Sequence, residues 1–208
     1  LADLMAANVS ASLGVNNRGA IVDDGLAVLK DTVTPKMIAV LVEAARLSGS
    51  DEEKLHAPGA ATKVATGIKA ALDAYGAIDI LFNNAGVSGR ALTHELTDAE
   101  WDRQFAINVR APFRISRAAI PHLIKRAEEK GRARIICTAS VMAFDTDIGL
   151  AAYTASKHAV AGLTKTMALE LGKYKVTANY ILPGAIETGM TQASFSDPFI
   201  RGVWEKKA

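Results

Sequence analysis

Three short apolar runs, at 78–82, 134–138 and 176–182, alternate with long segments whose apolar residues recur at helical spacing. Runs of this length are strand-sized, and the intervals between them far exceed a hairpin turn. Each connection is therefore a crossover, and successive strands lie parallel. Strand, helix, strand, helix, strand is the order of an α/β chain whose parallel sheet is covered by helices on both faces. Ligands of such sheets sit at the carboxyl ends of the strands. Here those ends carry Asn83, Ser140 and Pro183-Gly184. With 208 residues, half of them hydrophobic, the chain fits one domain, 1–208, with a sizeable core.

The intervals carry their own signals. Thr34-Pro35 is a good helix start, and Met37, Ile38, Leu41, Val42 and Ala45 recur at helical spacing, which predicts an amphipathic helix ending at Gly49. Residues 50–59 turn polar, with Pro58-Gly59 as punctuation, and read as a loop. A second helix is expected over 62–75, with Val64, Ile68, Leu72 and Tyr75 on one face and Gly76 at its end. Thr97 and Glu100 have the spacing of a capping box. The helix they start should carry Trp101, Phe105 and Val109 inward, and Pro112 and Pro121 should bend or divide it. The last long helix covers 151–172.

Composition narrows the function classes. Lys and Arg number 24 against 22 Asp and Glu, with no block of one sign. That balance leaves no footprint for nucleic acid or an anionic membrane surface, so a small molecule is the expected partner. No apolar run approaches the roughly 20 residues that span a bilayer. Residues 1–11 contain Asp3 and lack the basic start of a signal peptide. The one cysteine, Cys137, lies in an apolar run and should be a small buried side chain, so no disulfide framework exists and a cytoplasmic setting is expected. His56, His94, His122 and His158 show no metal-ligand spacing, and no metal site is expected. Ser140 lacks the Gly-x-Ser-x-Gly elbow of a hydrolase nucleophile.

One constellation carries chemistry. Tyr153 and Lys157, four residues apart, share a face of the 151–172 helix, and Ser140 stands thirteen positions before Tyr153 at the end of a strand. A free phenol is a poor base at neutral pH, but a nearby ammonium favours the phenolate, so Lys157 is expected to lower the pKa of Tyr153. Ser140 can hydrogen-bond a substrate oxygen beside it. Such a set moves protons on an alcohol or ketone but cannot accept a hydride, so a cofactor is required.

Together with Asn83-Asn84-Ala85-Gly86 after a strand, Asn108 in the next helix and Pro183-Gly184-Ala185-Ile186-Glu187-Thr188, these residues resemble the short-chain dehydrogenase/reductase family, most clearly over 63–190. The resemblance implies a Rossmann-like three-layer α/β sandwich with a parallel sheet, a cofactor that is NADP or NAD, and a small carbonyl or alcohol substrate. It makes Tyr153 the general acid/base, with Lys157 holding the nicotinamide ribose, Ser140 orienting the substrate and Asn108 anchoring a relay water. Asn83, Ala85 and Gly86 would line the adenosine side of the cofactor, and Pro183, Gly184, Ile186 and Thr188 its nicotinamide side. Residues 190–204, with Phe195, Phe199 and Trp204, fall where the family places a substrate lid, although packing explains those aromatics equally well. The helices at 98–125 and 151–172 correspond to those that pair in family homodimers and homotetramers.

The chain also departs from the family's pattern at both ends, which implies a fold incomplete or rearranged there. A glycine-rich phosphate turn is expected near the start, yet Gly14 and Gly19 open no such motif before Asn83. Residues 1–29 look more like the end of a family member than its beginning, and Asp31 is a weak candidate for an adenine contact. Two functions follow: an NAD(P)-dependent oxidoreductase interconverting a ketone or aldehyde and an alcohol, or a catalytically impaired relative that keeps the fold for binding or self-association.

Overall fold

The structure is a computed structural model that describes residues 39–42, 68–69, 72–73, 75–186, 191–198, 201–202 and 204. Gly14, Gly19, Asp31, His56, Thr188 and Phe199 lie outside the described residues, as do the readings made on 1–29 and 50–59. Four parallel strands form one sheet in the order β1-β2-β3-β4: β1 Ala39–Val42, β2 Ile80–Asn83, β3 Ala133–Thr138 and β4 Val176–Ile181. Ala39 stands opposite Ile80, Ile80 opposite Arg134, and Ala133 opposite Val176. Three of these are the expected strands, each within two residues at either end.

β1 corrects the expected helix from Thr34 to Gly49. The run Ile38 to Val42 satisfies helical spacing, but it also contains three β-branched residues in five. A short apolar run fits both periods, and pairing with β2 decides it for the strand.

Within the expected helix at 62–75, Ile68, Lys69, Leu72, Asp73 and Tyr75 are helical, and the Gly76 amide closes the turn on the Leu72 carbonyl at 2.7 Å. The next crossover is longer and more irregular. Helix α1, Asp98–Phe105, runs into a π-helical turn, Ala106–Arg110, and then into α2, Ala111–Lys130. The expected division thus falls before Pro112, while Pro121 sits inside an unbroken α2. Only half of the expected capping box forms: Thr97 Oγ1 accepts from the Glu100 amide at 3.2 Å, but the Glu100 carboxylate is taken by Arg103 and Gln104 instead. Nor does Trp101 point inward. It is 39% exposed and stacks on Phe105, while Gln104, Ile107 and Asn108 are buried. The face that α1 buries is therefore that of Gln104, and the π turn after it continues the buried face through Ile107 and Asn108. Helix α3, Ala151–Leu171, links β3 to β4, and a short helix, α4, covers Gln192–Phe195.

The core lies between sheet and helices. Ala133, Ile135 and Cys137 of β3 cluster with Ile115, Ala119 and Leu123 of α2 and with Val160, Met167 and Leu171 of α3. Every residue of β2 is buried, as suits a central parallel strand, whereas Thr177, Asn179 and Ile181 of β4 are exposed. At the amino end of the sheet, Asp79 and Arg126 form a two-pronged, largely buried ion pair at 2.7 and 3.0 Å. At the carboxyl end the chain is drawn together by backbone bonds from Ala139 to Ile181 and from Val141 to Pro183, at 3.0 and 3.1 Å.

Candidate active site

The carboxyl ends of β2 and β3 and the first turns of α3 bring the predicted chemistry together. Past Thr138 the chain stays extended through Ser140, which caps a single 3-10 turn, Val141–Ala143, by accepting from the Met142 amide at 3.2 Å. That cap fixes the Ser140 side chain, 7% exposed, near enough to Tyr153 to act on its phenol. One helical turn beyond Tyr153, Lys157 is 3% exposed and donates to the Thr138 carbonyl at 2.9 Å. Its ammonium lies 5.5 Å from the centre of the Tyr153 ring. Ser140, Tyr153 and Lys157 therefore converge as the spacing predicted.

Asn108 joins them through the π turn. Its Oδ1 accepts from the Val87 amide at 2.8 Å, and its Nδ2 donates to the Val87 carbonyl and to Ser156 Oγ, both at 2.9 Å. Ser156 in turn donates to the Tyr153 carbonyl at 2.7 Å. Both N–H groups of the side-chain amide are thus used, and its Oδ1 accepts once. Sequence reading missed Ser156, although a signal existed: with Ala152 and Val160 it forms a buried stripe at a spacing of four, and a serine there needs a polar partner. The Val87 and Thr138 main-chain groups leave no signature in sequence.

Beside this cluster runs the turn after β2. Gly86 lies so close that a Cβ there would meet Lys157 Nζ at 3.2 Å and Asn108 Oδ1 at 3.4 Å, so a side chain would press on both groups. Thr138 Oγ1 donates to Asn84 at 2.8 Å, while Ala85 packs against the core. Asn83 donates to Ser116 at 3.0 Å and reaches Cys137 Sγ at 3.6 Å, yet its own Oδ1 is buried with no partner among the described residues. After β4, Gly184 and Ile186 are exposed, and the Ile186 carbonyl accepts from Thr191 at 2.6 Å. Phe195 of α4 meets Trp204 edge to face at 5.1 Å.

Burial dominates the electrostatics. It drives the Lys157 ammonium down to about 8, against an opposing effect from Cys137. It also pushes the Tyr153 phenol up, with the Ser140 hydroxyl working the other way. This corrects the expectation that Lys157 lowers Tyr153: the cost of burying a phenolate outweighs the neighbouring groups. Below about 8 the site therefore holds a protonated phenol beside a charged ammonium, an arrangement able to give a proton to an oxygen placed against Tyr153 and Ser140.

Among the described residues no three His, Cys, Asp or Glu side chains come together as metal ligands, and no helix is long and apolar enough to cross a membrane. His158 is exposed, its Nδ1 lying 3.0 Å from the Thr154 carbonyl.

This fold, with Ser140, Tyr153 and Lys157 at the carboxyl edge of a parallel sheet, is that of a Rossmann-like dehydrogenase. A sequence profile described as short chain dehydrogenase matches residues 57–198, and the chain belongs to that family. Over 126 residues it is 39% identical to the 3-oxoacyl-acyl-carrier-protein reductase FabG of Vibrio cholerae, covering 61% of this chain and 50% of the relative. A gluconate 5-dehydrogenase from Burkholderia cenocepacia, solved with NADP and tartrate, superposes with a TM-score of 0.63 at 32% identity, over 67% of this chain and 53% of that one. A 3-ketoacyl-acyl-carrier-protein reductase from Brucella melitensis, solved with NADH, gives 0.64 at 29% identity, over 77% and 63%. The chain thus spans about half the length of the relatives it matches.

Proposed function

We propose that this chain carries the catalytic half of an NAD(P)-dependent oxidoreductase that interconverts a ketone or aldehyde and an alcohol. The observation that carries the reading is the buried Lys157, its ammonium 5.5 Å from the Tyr153 ring, with Ser140 beside that phenol. Burying an ammonium costs several kcal/mol, and such groups concentrate where chemistry needs them. The residues present fit a nicotinamide nucleotide: Gly86 keeps a flat floor against Lys157 and Asn108, and Asn83 Oδ1, with no partner among the described residues, offers an acceptor at the end of β2. The solved relatives bound to NADP and to NADH support NADP or NAD as the cofactor.

When bound, the nicotinamide supplies or takes up the hydride. Ser140 orients the substrate oxygen and Tyr153 exchanges a proton with it. Lys157 holds the nicotinamide ribose and keeps positive charge close to the phenol. The main-chain carbonyl of Asn108 anchors a relay water behind them. Pro112, four residues on, has no N–H to close an α-helical bond on that carbonyl. Asn83, Ala85 and Gly86 line the adenosine side; Pro183, Gly184, Ile186 and Thr188 line the nicotinamide side. Residues 190–204 form the substrate lid, and the Phe195–Trp204 contact supports a substrate with an apolar part. Exposed Phe113 and Leu169, on α2 and α3, support pairing of those helices in a homodimer or homotetramer. A single buried thiol supports a reducing, cytoplasmic setting.

The test is nucleotide fluorescence on adding NADPH or NADH, followed by turnover of a panel of carbonyls. Tyr153→Phe should keep nucleotide binding and lower turnover by about 10²-fold or more. Retained turnover would remove Tyr153 as proton donor. One observation favours the second reading, a catalytically impaired binding or self-association module: β1, the strand beside β2, leads into Glu43-Ala44-Ala45-Arg46-Leu47-Ser48 with no glycine before Gly49. Failure to bind either nucleotide would decide for that reading.

A further inference from the structure

Tyr153 sits in the first turn of α3, yet nothing caps that helix: Leu150 occupies the N-cap position and makes no side-chain hydrogen bond. Something else must hold the turn on which the phenol's position depends. The residues just before it are tied across the crevice mouth to the loop that follows Gly86. Arg90 Nη2 pairs with Asp147 Oδ2 at 2.7 Å, and Arg90 Nη1 donates to the Ile148 carbonyl at 2.6 Å. The Ala91 amide donates to the Gly149 carbonyl at 3.0 Å, and Ala91 and Leu150 form an isolated parallel bridge. Asp147 works from both oxygens, since its Oδ1 accepts from the Ile148 amide at 2.8 Å and shapes the turn that Leu150 closes on the Asp147 carbonyl. Gly149 in that turn has φ +77, a conformation that side chains resist.

The other end of the strap is equally fixed. Val87 is held by Asn108, the Ser88 carbonyl accepts from Arg103 at 3.4 Å, and a Cβ on Gly89 would strike the Glu100 carboxylate, which Arg103 and Gln104 hold in place. Residues 87–91 therefore run from the π turn of Asn108 to the start of α3, with Val87, Ser88, Arg90 and Ala91 each hydrogen-bonded and Gly89 packed close on Glu100.

We propose that Arg90 and Asp147 are positioning residues: their ion pair latches the 87–91 strap to the 147–150 turn and so fixes the first turn of α3, with Tyr153 on it. This rests on the oxidoreductase reading, but the latch has a readout of its own.

Arg90→Met removes the charge and keeps much of the stem. Asp147→Asn removes the charge and keeps the oxygen that accepts from Ile148. In both, amide exchange followed by mass spectrometry should quicken in the peptide covering 145–153 and stay unchanged in β3 and the second half of α3. Turnover should fall about three- to tenfold with unchanged nucleotide affinity, as expected when a reacting group is displaced slightly. The double variant should be no worse than Arg90→Met alone, and Arg90→Lys should recover part of the loss. Exchange at 145–153 equal to that of the unmodified chain in both variants overturns the latch, as does additive loss in the double variant. If the unmodified chain turns nothing over while exchange still quickens in the variants, the function reading fails and the latch stands.

Discussion

A lysine that titrates near neutrality makes the residue scale experimentally accessible. Lys157 has a folded-state pKa of about 8, below the ordinary lysine range, because its ammonium is buried. Between about 8 and that ordinary range the unfolded chain holds a proton that the folded chain has lost. Unfolding then takes up a proton, so this group makes stability rise with pH across that window. Urea midpoints of the unmodified chain and Lys157→Met, compared at about pH 7.5 and 9.5, should shift in favour of the unmodified chain at the higher pH. Catalysis should run the other way. The proposed carbonyl reduction calls for the ammonium charged beside a protonated Tyr153, and burial already favours the protonated phenol. The rate of reduction should therefore fall as pH passes about 8, and a profile flat to pH 10 would separate Lys157 from the proton relay. At this scale the sequence carried much of the site: Ser140, Tyr153 and Lys157 meet as their spacing implied. It misjudged the direction of the Tyr153 shift, because the depth of burial is set by α3, β3 and the turn after β2 together, and no local pattern records it.

Elements were legible where one period dominated. Residues 134–138 and 176–182 could only be strands, and α3 ends within one residue of its expected limit. The run at 38–42 satisfied two periods, and a neighbouring strand made the choice. The π turn was half visible: Asn108 marked a weak point in the helix, and Pro112 explains where it opens. Restoring an N–H by Pro112→Ala should let the helix close over the Asn108 carbonyl. The expected outcome is higher thermal stability together with turnover lowered by about tenfold, the scale of one impaired proton-transfer group. An unchanged rate would mean that the carbonyl takes no part. Trp101 was misplaced because α1 turns its Gln104 side to the interior, a choice made by packing that the apolar spacing of Trp101, Phe105 and Val109 does not record.

For the molecule as a whole, stability and chemistry sit at opposite edges of the sheet. Asp79 and Arg126 clamp the amino end of β2 to α2, far along both elements from Asn83 and Asn108. Asp79→Ala would leave a guanidinium that is 11% exposed with Glu129, at 3.6 Å, as its remaining carboxylate, and should cost about 2 kcal/mol in urea unfolding, with the low-temperature rate unchanged. The clamp joins residues 47 apart in sequence, so no motif announced it. The sheet also offers a built-in clock. Cys137 is the chain's one thiol, fully shielded in β3, its pKa pushed up by burial and its sulfur within reach of Asn83. A thiol reagent can react there only after β3 has parted from its neighbours, so labelling measures how often the sheet opens. On the proposed seat against Asn83, saturating NADPH or NADH should slow that labelling by the factor its affinity sets, which turns a residue with no part in the chemistry into a reporter of cofactor occupancy.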